Sequence, residues 1–407
     1  MQFPKYLVLF GLLGVLGACT DSVVPFEPVA LDVPAGSPAA GPRLSGGNGD
    51  PLILSWMEEN EDGAALYFSS FDGESWPAPK QVVDGIDMFV NWADMPTVKS
   101  MRGDRLAAHW LQMSAELTYA YDVVFVQSTD GGATWSAPLR PHSDGTPTEH
   151  GFVSMFPWGE HTGLIWLDGR KMVKERTDNP ADTGMTLRFA TIDPDAGIHT
   201  EQLVDELICD CCQTDIALAS SGPVAVYRDR SPAEIRDIYV TRFIDGQWQQ
   251  GTPVASDNWR IPGCPVNGPS IAAEGSLVAV AWFTAADEQP TVKLSFSNDS
   301  GETFGDAIEV ASGKVLGRVG LVNLGDGAVA ISWLQTLADG SNAVLVQTYT
   351  VGSESGSPHT VAKNVSSFAV PQMALAGSDL VLVWTKTEVS GHSIHSAAVP
   401  LTALAAK

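Results

Sequence analysis

The chain has 407 residues, of which 44% are hydrophobic and 17% are charged, and it contains 39 glycines and 26 prolines. This composition is typical of a turn-rich globular β protein and excludes an intrinsically disordered one. The formal net charge is −25, from 23 basic and 48 acidic residues. A surface this acidic repels nucleic acid and anionic lipid, so we expect neither as a partner.

The N-terminus carries the features of an export signal. Lys5 is followed by an apolar run, Leu7 to Leu16, that is too short to span a bilayer. Leu16-Gly17-Ala18-Cys19 resembles the lipobox of bacterial lipoproteins, which implies cleavage before Cys19 and lipidation of that cysteine. An ordinary secretory signal with a chance cysteine is the alternative. Acyl chains would hold the protein on a membrane outside the cytoplasm, and Thr20 in place of an aspartate favours the outer membrane.

The rest of the chain repeats one pattern. An apolar strand, a Gly/Asp turn and a second apolar strand that ends in an aromatic residue recur at intervals of 51 to 61 residues. The closing aromatics are Trp56, Trp110, Trp166, Tyr227, Trp282, Trp333 and Trp384. Repeats of this length with alternating apolar strands predict a β-propeller with one blade per copy, and therefore seven blades.

The second half of two copies contains a turn motif. Ser128 to Trp135 (STDGGATW) and Ser297 to Phe304 (SNDSGETF) both read S-x-D-x-G-x-T-[WF]. The motif resembles the Asp-box of sialidase-type propellers, a β-hairpin turn in which the Asp bonds backbone N–H groups and the Gly takes a positive φ. Ser70 to Trp76 and Phe243 to Trp248 look like shortened versions. We expect these turns to be structural.

The two ends of the chain complement each other. The last copy ends near Leu401 with three strands, and Phe26 to Val33 resembles a fourth strand without its first three. Pairing them would close the ring and leave no long open edge. The predicted fold is thus an all-β, seven-bladed propeller over residues 42–407, preceded by a signal peptide over 1–18 and by the lipidated cysteine, tether and closing strand over 19–41. The six-bladed sialidase fold is the alternative.

Alternating strand directions place two sets of loops on one face. The loops that lead into the first strand of each blade, here called inlet loops, open on the same face as the loops between strands two and three. The inlet loops carry Asp94, Glu149, His150, the run Cys209 to Thr214, the run Cys264 to Asn267, and Arg318. The other loops carry Asp168 to Lys171 and Arg228 to Arg230. A convergent polar set at the mouth of the channel predicts the functional site there.

Basic residues are concentrated in two of these loops. Seven of the 23 lie there: Arg170, Lys171, Lys174, Arg176, Arg228, Arg230 and Arg236. In an acidic protein this local positive charge suits a carboxylate or sulfate, because guanidinium offers a planar pair of donors. The alternative is that Arg228 and Arg236 pair with Asp229 and Asp237 as structural bridges.

Four cysteines besides Cys19 remain: Cys209, Cys211, Cys212 and Cys264. Outside the cytoplasm they could form disulfides that tie blade four to blade five. They could instead form a thiolate site for copper or zinc, with His150 one blade away as a further ligand. Both interpretations stay open.

The strings CDCCQT, YRDR and GCPVNGP, together with the Asp-box turns, resemble a group of bacterial envelope proteins labelled sialidase-like. Sialidases hold a substrate carboxylate with three arginines, use a Tyr activated by Glu as nucleophile and use an Asp as acid/base. The resemblance implies Arg170, Arg228, Arg230 and Arg318, with His150, as substrate contacts. It implies Asp94 or Asp168 as acid/base and Glu149 as the group that polarises the nucleophile.

This chain departs from the sialidase pattern in two places. The Arg-Ile-Pro motif is absent, and Pro42-Arg43-Leu44 is a faint echo of it. Tyr119 and Tyr121 lie in a loop on the correct face, whereas Tyr227 ends a core strand, so no Tyr is assigned as nucleophile. The sequence predicts a monomeric envelope lipoprotein, an exo-glycosidase that acts on or binds anionic glycans. The alternative is a non-catalytic copper- or zinc-binding or interaction propeller.

Overall fold

The computed structural model describes residues 26–47, 49–61, 63–173, 179–195, 197–353, 356–388 and 391–404. The predicted signal peptide and Cys19 lie outside the described residues. Within the described ranges, no helix is long and apolar enough to cross a membrane.

The described residues form seven antiparallel sheets, one per predicted blade. A first short strand, β1 (Val29–Leu31), precedes blade 1, which contains β2 (Ala39–Gly47), β3 (Asp50–Asn60), β4 (Gly63–Ser70) and β5 (Lys80–Gly85). Blade 2 contains β6 (Thr97–Ser100), β7 (Leu106–Met113) and β8 (Tyr121–Ser128). Blade 3 contains β9 (His150–Trp158), β10 (His161–Asp168), β11 (Met185–Ile192) and β12 (Ile198–Ile208).

Blade 4 contains β13 (Asp215–Ala219), β14 (Gly222–Arg228), β15 (Ile238–Ile244), β16 (Gln247–Trp248) and β17 (Thr252–Pro253). Blade 5 contains β18 (Ser270–Glu274), β19 (Leu277–Thr284), β20 (Thr291–Ser297) and β21 (Ile308–Ser312). Blade 6 contains β22 (Val315–Gly325), β23 (Ala328–Thr336), β24 (Asn342–Thr350) and β25 (His359–Lys363). Blade 7 contains β26 (Gln372–Ala376), β27 (Asp379–Glu388) and β28 (Gly391–Pro400).

The helical segments of the described chain are single turns. Three are 3₁₀ turns, at Arg170–Val173, Pro180–Asp182 and Ala286–Glu288, and α1 spans Leu401–Leu404. The all-β, seven-bladed prediction is confirmed, and the six-bladed alternative is wrong. At the ends of the chain, β1 pairs antiparallel with β28 from Val29↔Ala398 to Leu31↔Ser396 and so lies at the outer edge of blade 7.

The hydrophobic core is divided into layers between neighbouring blades. In one layer Leu66 and Phe68 of blade 1 pack with Val98 and Trp110 of blade 2. Because each strand alternates its side chains between the two faces of its sheet, every blade contributes to two layers. The closing aromatics are buried in these layers, including Tyr227, whose hydroxyl donates to Asp205 at 2.7 Å.

The two predicted turn motifs have nearly the same hydrogen bonds. Asp130 Oδ1 accepts the backbone N–H of Thr134, and Asp299 Oδ1 accepts that of Thr303, each at 2.9 Å. At Gly132 φ is +75°, and a Cβ there would lie 2.4 Å from Phe68 Cζ. Glycine is therefore required where this turn presses on the neighbouring blade.

Blade 2 has three paired strands instead of four. Beyond β8 the chain makes an isolated bridge, Phe125↔Leu139, where a fourth strand would lie, and a second, parallel bridge, Tyr121↔Glu149, further along. The segment that follows, up to Glu149, is thereby free to fold over the mouth side of blades 2 and 3. This departure from the repeat supplies side chains to the site.

Candidate functional site

Three side chains from blades 2 and 3 meet at the mouth of the channel. The Tyr121 hydroxyl oxygen lies 2.7 Å from Glu149 Oε1 and 3.1 Å from Asp94 Oδ2. A phenol carries one proton, so one of these two contacts requires a protonated carboxyl as donor. Phe152 N–H donates to the other oxygen of Asp94 at 2.8 Å. A Cβ at Gly151 would lie 1.8 Å from Asp94 Oδ2, so only glycine admits that carboxyl here.

The pKa values of all three groups in this cluster are raised. Burial raises the pKa of Asp94 to about 7 and the pKa of Glu149 to about 8. Burial and the two neighbouring acids also raise the pKa of Tyr121 well above its ordinary value. Asp94 and Tyr121 are buried, at 2% and 0% exposure, whereas Glu149 is half-buried. Of the three side chains, Glu149 is thus the one that is accessible to a ligand, and its carboxyl stays protonated near neutral pH.

Asp168 lies in a separate network. Arg170 donates to both of its carboxylate oxygens at 2.7 Å, and Trp166 Nε1–H donates to one of them at 3.0 Å. Burial opposes ionisation of Asp168, but the Arg170 hydrogen bond and the charge of His150 outweigh it and lower the pKa. The side chain is fully buried. Asp168 is therefore a buried, ion-paired carboxylate beside the site, in a different hydrogen-bond network from that of Asp94.

His150 belongs to the same network and stacks on a second histidine. The His142 and His150 rings are parallel, with centroids 3.9 Å apart. His150 Nδ1 faces the Thr148 carbonyl at 3.1 Å, and its Nε2 faces Asp144 Oδ2 at 3.2 Å. Burial, then the charge of His150, lowers the pKa of His142 to about 4. Sequence reasoning missed His142 and Asp144; the weak fourth strand of blade 2 is the signal that could have found them.

The predicted anion-binding arginines are engaged inside the protein. Arg228 is 2% exposed and donates to the carbonyls of Asn267, Arg236 and Phe283 at 2.6 to 3.0 Å. Arg230 pairs with Asp210 and Glu234 at 2.9 and 2.6 Å. The expected pairs of Arg228 and Arg236 with Asp229 and Asp237 do not form among the described residues. Arg236 pairs with Glu234, and Asp237 accepts backbone N–H groups of Asn258 and Trp259.

Arg318 differs from these arginines because it faces the axial channel. Its guanidinium lies over the Trp92 ring, 5.1 Å from the centroid, and donates to the Val266 carbonyl. Its Nε–H is buried with no partner in the described structure. Burial lowers the pKa of this guanidinium.

Two further cations, Arg43 and Lys99, line the channel, in a cavity of about 330 Å³. In the part of the chain that the structure describes, neither side chain has an ion pair or hydrogen bond. Burial lowers the pKa of both. The nearby Asp215 is already engaged, since it accepts from Ser270 Oγ and Ile271 N at 3.0 Å. A smaller cavity is lined by both Arg43 and Asp94, so Arg43 lies near the Asp94 end of the Asp94–Tyr121–Glu149 cluster.

The four cysteines also meet at the mouth. Cys209 Sγ lies 3.0 Å from Cys212 Sγ and 4.0 Å from Cys211 Sγ, and Cys264 lies beside Cys211. Arg236 Nη1 donates to Cys209 Sγ at 3.3 Å. None of these four is in a disulfide. Cys209 and Cys212 are buried, Cys211 is half-buried and Cys264 is exposed.

No protein-family profile and no curated protein sequence matches this chain. Solved structures do resemble it. The phage phi92 endosialidase has a TM-score of 0.51 at 10% identity, over 92% of this chain and 69% of that one. The NanB sialidase from Streptococcus pneumoniae has 0.46 at 9%, over 94% and 71%, and a PL25 ulvan lyase bound to -[GlcA(1-4)Rha3S]- has 0.45 at 11%, over 77% and 79%. At 10% identity the similarity to the endosialidase shows the fold alone.

Proposed function

We propose that this protein is a glycan-directed propeller that binds an anionic sugar at the mouth of its axial channel and hydrolyses a glycosidic bond there. The observation that carries the proposal is the Asp94–Tyr121–Glu149 cluster near a channel cavity lined by Arg43 and Lys99, which have no ion pair or hydrogen bond among the described residues. A protonated carboxyl near a cationic pocket supplies a proton donor and an anion contact, two of the groups that hydrolysis of an acidic sugar uses.

Glu149 is the catalytic acid in this proposal. With a pKa of about 8 it is protonated near neutral pH and can donate that proton to the leaving glycosidic oxygen as the bond to the anomeric carbon breaks. Water adds to the anomeric carbon, and the proton that this water loses restores the acid. Tyr121 and Asp94 are positioning residues, since both are buried and reach the substrate only through Glu149. The Tyr121 contact of 2.7 Å orients the Glu149 carboxyl, whereas burial and the neighbouring Asp94 raise the pKa of Glu149.

The cations supply the preference for an anionic sugar. Arg43, Lys99 and Arg318 carry positive charge into a cavity of about 330 Å³, which has room for about one sugar ring. A carboxylate or sulfate on that ring would pair with Arg43 and Lys99, which have no other partner among the described residues. Arg170, Arg228 and Arg230 serve the scaffold in this scheme, because their donors are already engaged.

We place the protein in the cell envelope, anchored through Cys19 on a membrane outside the cytoplasm. The lipobox-like string and the short apolar run support this localisation. A tethered propeller whose mouth is open to the outside would meet glycans at that surface.

Hydrolysis is tested with fluorogenic glycosides of N-acetylneuraminic, glucuronic and galacturonic acid and with the neutral glucoside. We expect turnover of an acidic glycoside, a loss of at least about 100-fold in Glu149→Gln, and a smaller loss in Tyr121→Phe. The matched control is Glu160→Gln, whose carboxylate is 88% exposed. Binding of the acidic sugars without turnover would reject the hydrolase and keep the binding function, and absence of both would reject the proposal.

A further inference from the structure

The thiol cluster lies where two inlet loops press together. Cys209, Cys211 and Cys212 belong to the loop between β12 and β13, and Cys264 belongs to the loop before β18. Gly268 N–H donates to Gln213 Oε1 at 3.3 Å, and a Cβ at Gly268 would lie 2.1 Å from the Gln213 carbonyl oxygen. Only glycine permits this approach, so the backbone itself brings Cys264 to the other three cysteines.

Three of the sulfur atoms lie close together, and Cys264 adjoins this group beside Cys211. The ligand atoms of Cys209, Cys211 and Cys212 all lie within 4.8 Å of one another. A tetrahedral thiolate site with metal–sulfur bonds of about 2.3 Å separates its sulfurs by roughly 3.8 Å. The separation of 4.0 Å between Cys209 and Cys211 fits this geometry, and the 3.0 Å between Cys209 and Cys212 requires a small outward movement.

The neighbouring side chains favour the thiolate form of the cysteines and leave few oxygen atoms free to bind a metal in their place. Arg236 donates to Cys209 Sγ at 3.3 Å, and Arg318 faces Cys211 and Cys212 electrostatically. The carboxylate of Asp210, next to the cluster, is engaged with Arg230 at 2.9 Å. A set of thiolates without oxygen ligands selects soft closed-shell ions.

We propose that Cys209, Cys211, Cys212 and Cys264 bind one thiophilic closed-shell ion, zinc or cuprous copper, that cross-links blade 4 to blade 5. Metal–sulfur bonds replace S–H bonds, the released protons pass to solvent, and no group changes oxidation state. The four ligands are distinct from Glu149, Arg43 and Lys99 of the proposed hydrolase, although Arg318 lies beside both sites, so metal binding is tested separately from that function. His150 is not part of it, because both of its ring nitrogens face oxygen atoms.

The test uses the full-length protein extracted in detergent and purified anaerobically without chelator. Metal content is measured by elemental analysis, and the state of each cysteine by differential alkylation and peptide mapping. Affinities are then measured by competition with a chromogenic zinc chelator and, separately, a cuprous chelator. The variants are Cys211→Ser and Cys264→Ser, and Ser256→Ala is the control, because this exposed serine lies in the chain leading to the same loop.

We expect about one equivalent of zinc or copper in the wild-type protein and in Ser256→Ala. Loss of one sulfur ligand should weaken affinity by at least about tenfold in both cysteine variants. Cys264→Ser keeps the measurement interpretable, because that exposed side chain contributes little to the core. Disulfides in the isolated protein, no competition with either chelator, or unchanged affinity in both variants would overturn the proposal.

Discussion

At the scale of single residues, the cations of the mouth divide according to what surrounds them. Arg228 is buried among three carbonyl oxygens and lies over Trp259, 4.9 Å from the ring centroid. Arg43 is half-buried and faces a cavity. The first arrangement holds blades 4 and 5 together, and the second leaves a charge available for a ligand.

Arg228→Met should therefore destabilise the fold rather than only weaken ligand binding. Removing the guanidinium leaves buried carbonyl groups without donors, and we expect a loss of about 3–5 kcal/mol in the free energy of unfolding by urea. Arg242→Met is the matched control on the same blade, because Arg242 pairs at the surface with Glu302 at 3.2 Å. The control should change stability by less than about 0.5 kcal/mol. Equal stability of the two variants would contradict a structural role for Arg228.

The raised pKa of Glu149 should make stability depend on pH. The folded state keeps this proton up to about pH 8, whereas the unfolded chain releases it near its ordinary pKa. Wild-type stability is therefore lost as pH rises between these two values. Glu149→Gln cannot ionise, so its melting temperature should exceed that of the wild type at pH 8, and the gap should close towards pH 5. If Glu160→Gln shows the same pattern, the effect does not come from Glu149.

The same group sets the pH dependence of the proposed hydrolysis. A catalytic acid must be protonated, so kcat should fall as pH rises through about 8. The measurement is kcat against pH for the best acidic glycoside. A rate that rises through this interval would exclude Glu149 as the proton donor.

At the scale of elements, the turn motifs show how one side chain stabilises a hairpin. Asp299 accepts hydrogen bonds from Thr303 N–H and Thr303 Oγ1 and from Ser297 Oγ. These hydrogen bonds hold the pKa of Asp299 well below its ordinary value. The pKa of Asp299 is lower in the folded protein than in the unfolded chain, so these hydrogen bonds stabilise the fold at pH values above the ordinary pKa of an aspartate. The stabilisation is lost as the pH falls below that ordinary pKa.

Asp299→Ala should lower stability by about 1 kcal/mol at pH 7, because the turn loses these bonds. The control is Asp306→Ala, an exposed residue in the following segment. Urea unfolding at pH 7 and pH 3 measures both variants, and the difference between them should shrink at pH 3. A difference that is equal at both pH values would show that the ionised carboxylate is not responsible.

At the scale of the whole molecule, the channel is a property of the closed ring. Arg43 and Lys99 come from the inner strands of neighbouring blades, and Arg318 comes from blade 6. Seven blades around one axis bring these cations together, although at least 56 residues separate Arg43 from its nearest partner along the chain. The combined positive charge of these three side chains would attract an acidic sugar, although the protein surface as a whole is acidic.

The double change Arg43→Met and Lys99→Met should weaken binding of free N-acetylneuraminic acid or galacturonate by at least tenfold, about 1.4 kcal/mol. Stability should stay equal or rise, since the cations lack partners in the described structure. Isothermal titration at fixed ionic strength measures the affinity, and Lys363→Met, at an exposed lysine, is the control. Unchanged affinity in the double variant would remove the channel from the binding site.

Anchoring belongs to the whole molecule as well. Cys19→Ala should move the protein from the membrane to the soluble fraction and abolish incorporation of labelled fatty acid, because the acyl chains would be absent. Ser22→Ala, close by and outside the lipobox-like string, should behave as the wild type. Membrane retention of Cys19→Ala would instead favour an ordinary secretory signal and a different mode of attachment.

Sequence alone determined the number of blades and which loops share a face. The spacing of the closing aromatics and the alternation within strands are local regularities, and each blade forms from a contiguous segment. Strand direction was enough to place Asp94, Glu149 and the cysteines at one mouth. These features depend on residues that are close together in the chain.

Only the tertiary structure decided which groups touch. It placed Tyr121 between Asp94 and Glu149, engaged Arg228 with carbonyls on the next blade, and left Arg43 in the channel without a hydrogen-bond partner among the described residues. Partners of this kind lie 27 to 55 residues apart and are chosen by packing across blades. The physical reason is that the periodicity of a sequence indicates on which face of a strand a side chain lies. The charge state of that side chain, and whether it is free to bind a ligand, depend on neighbours that the assembled blades bring to it.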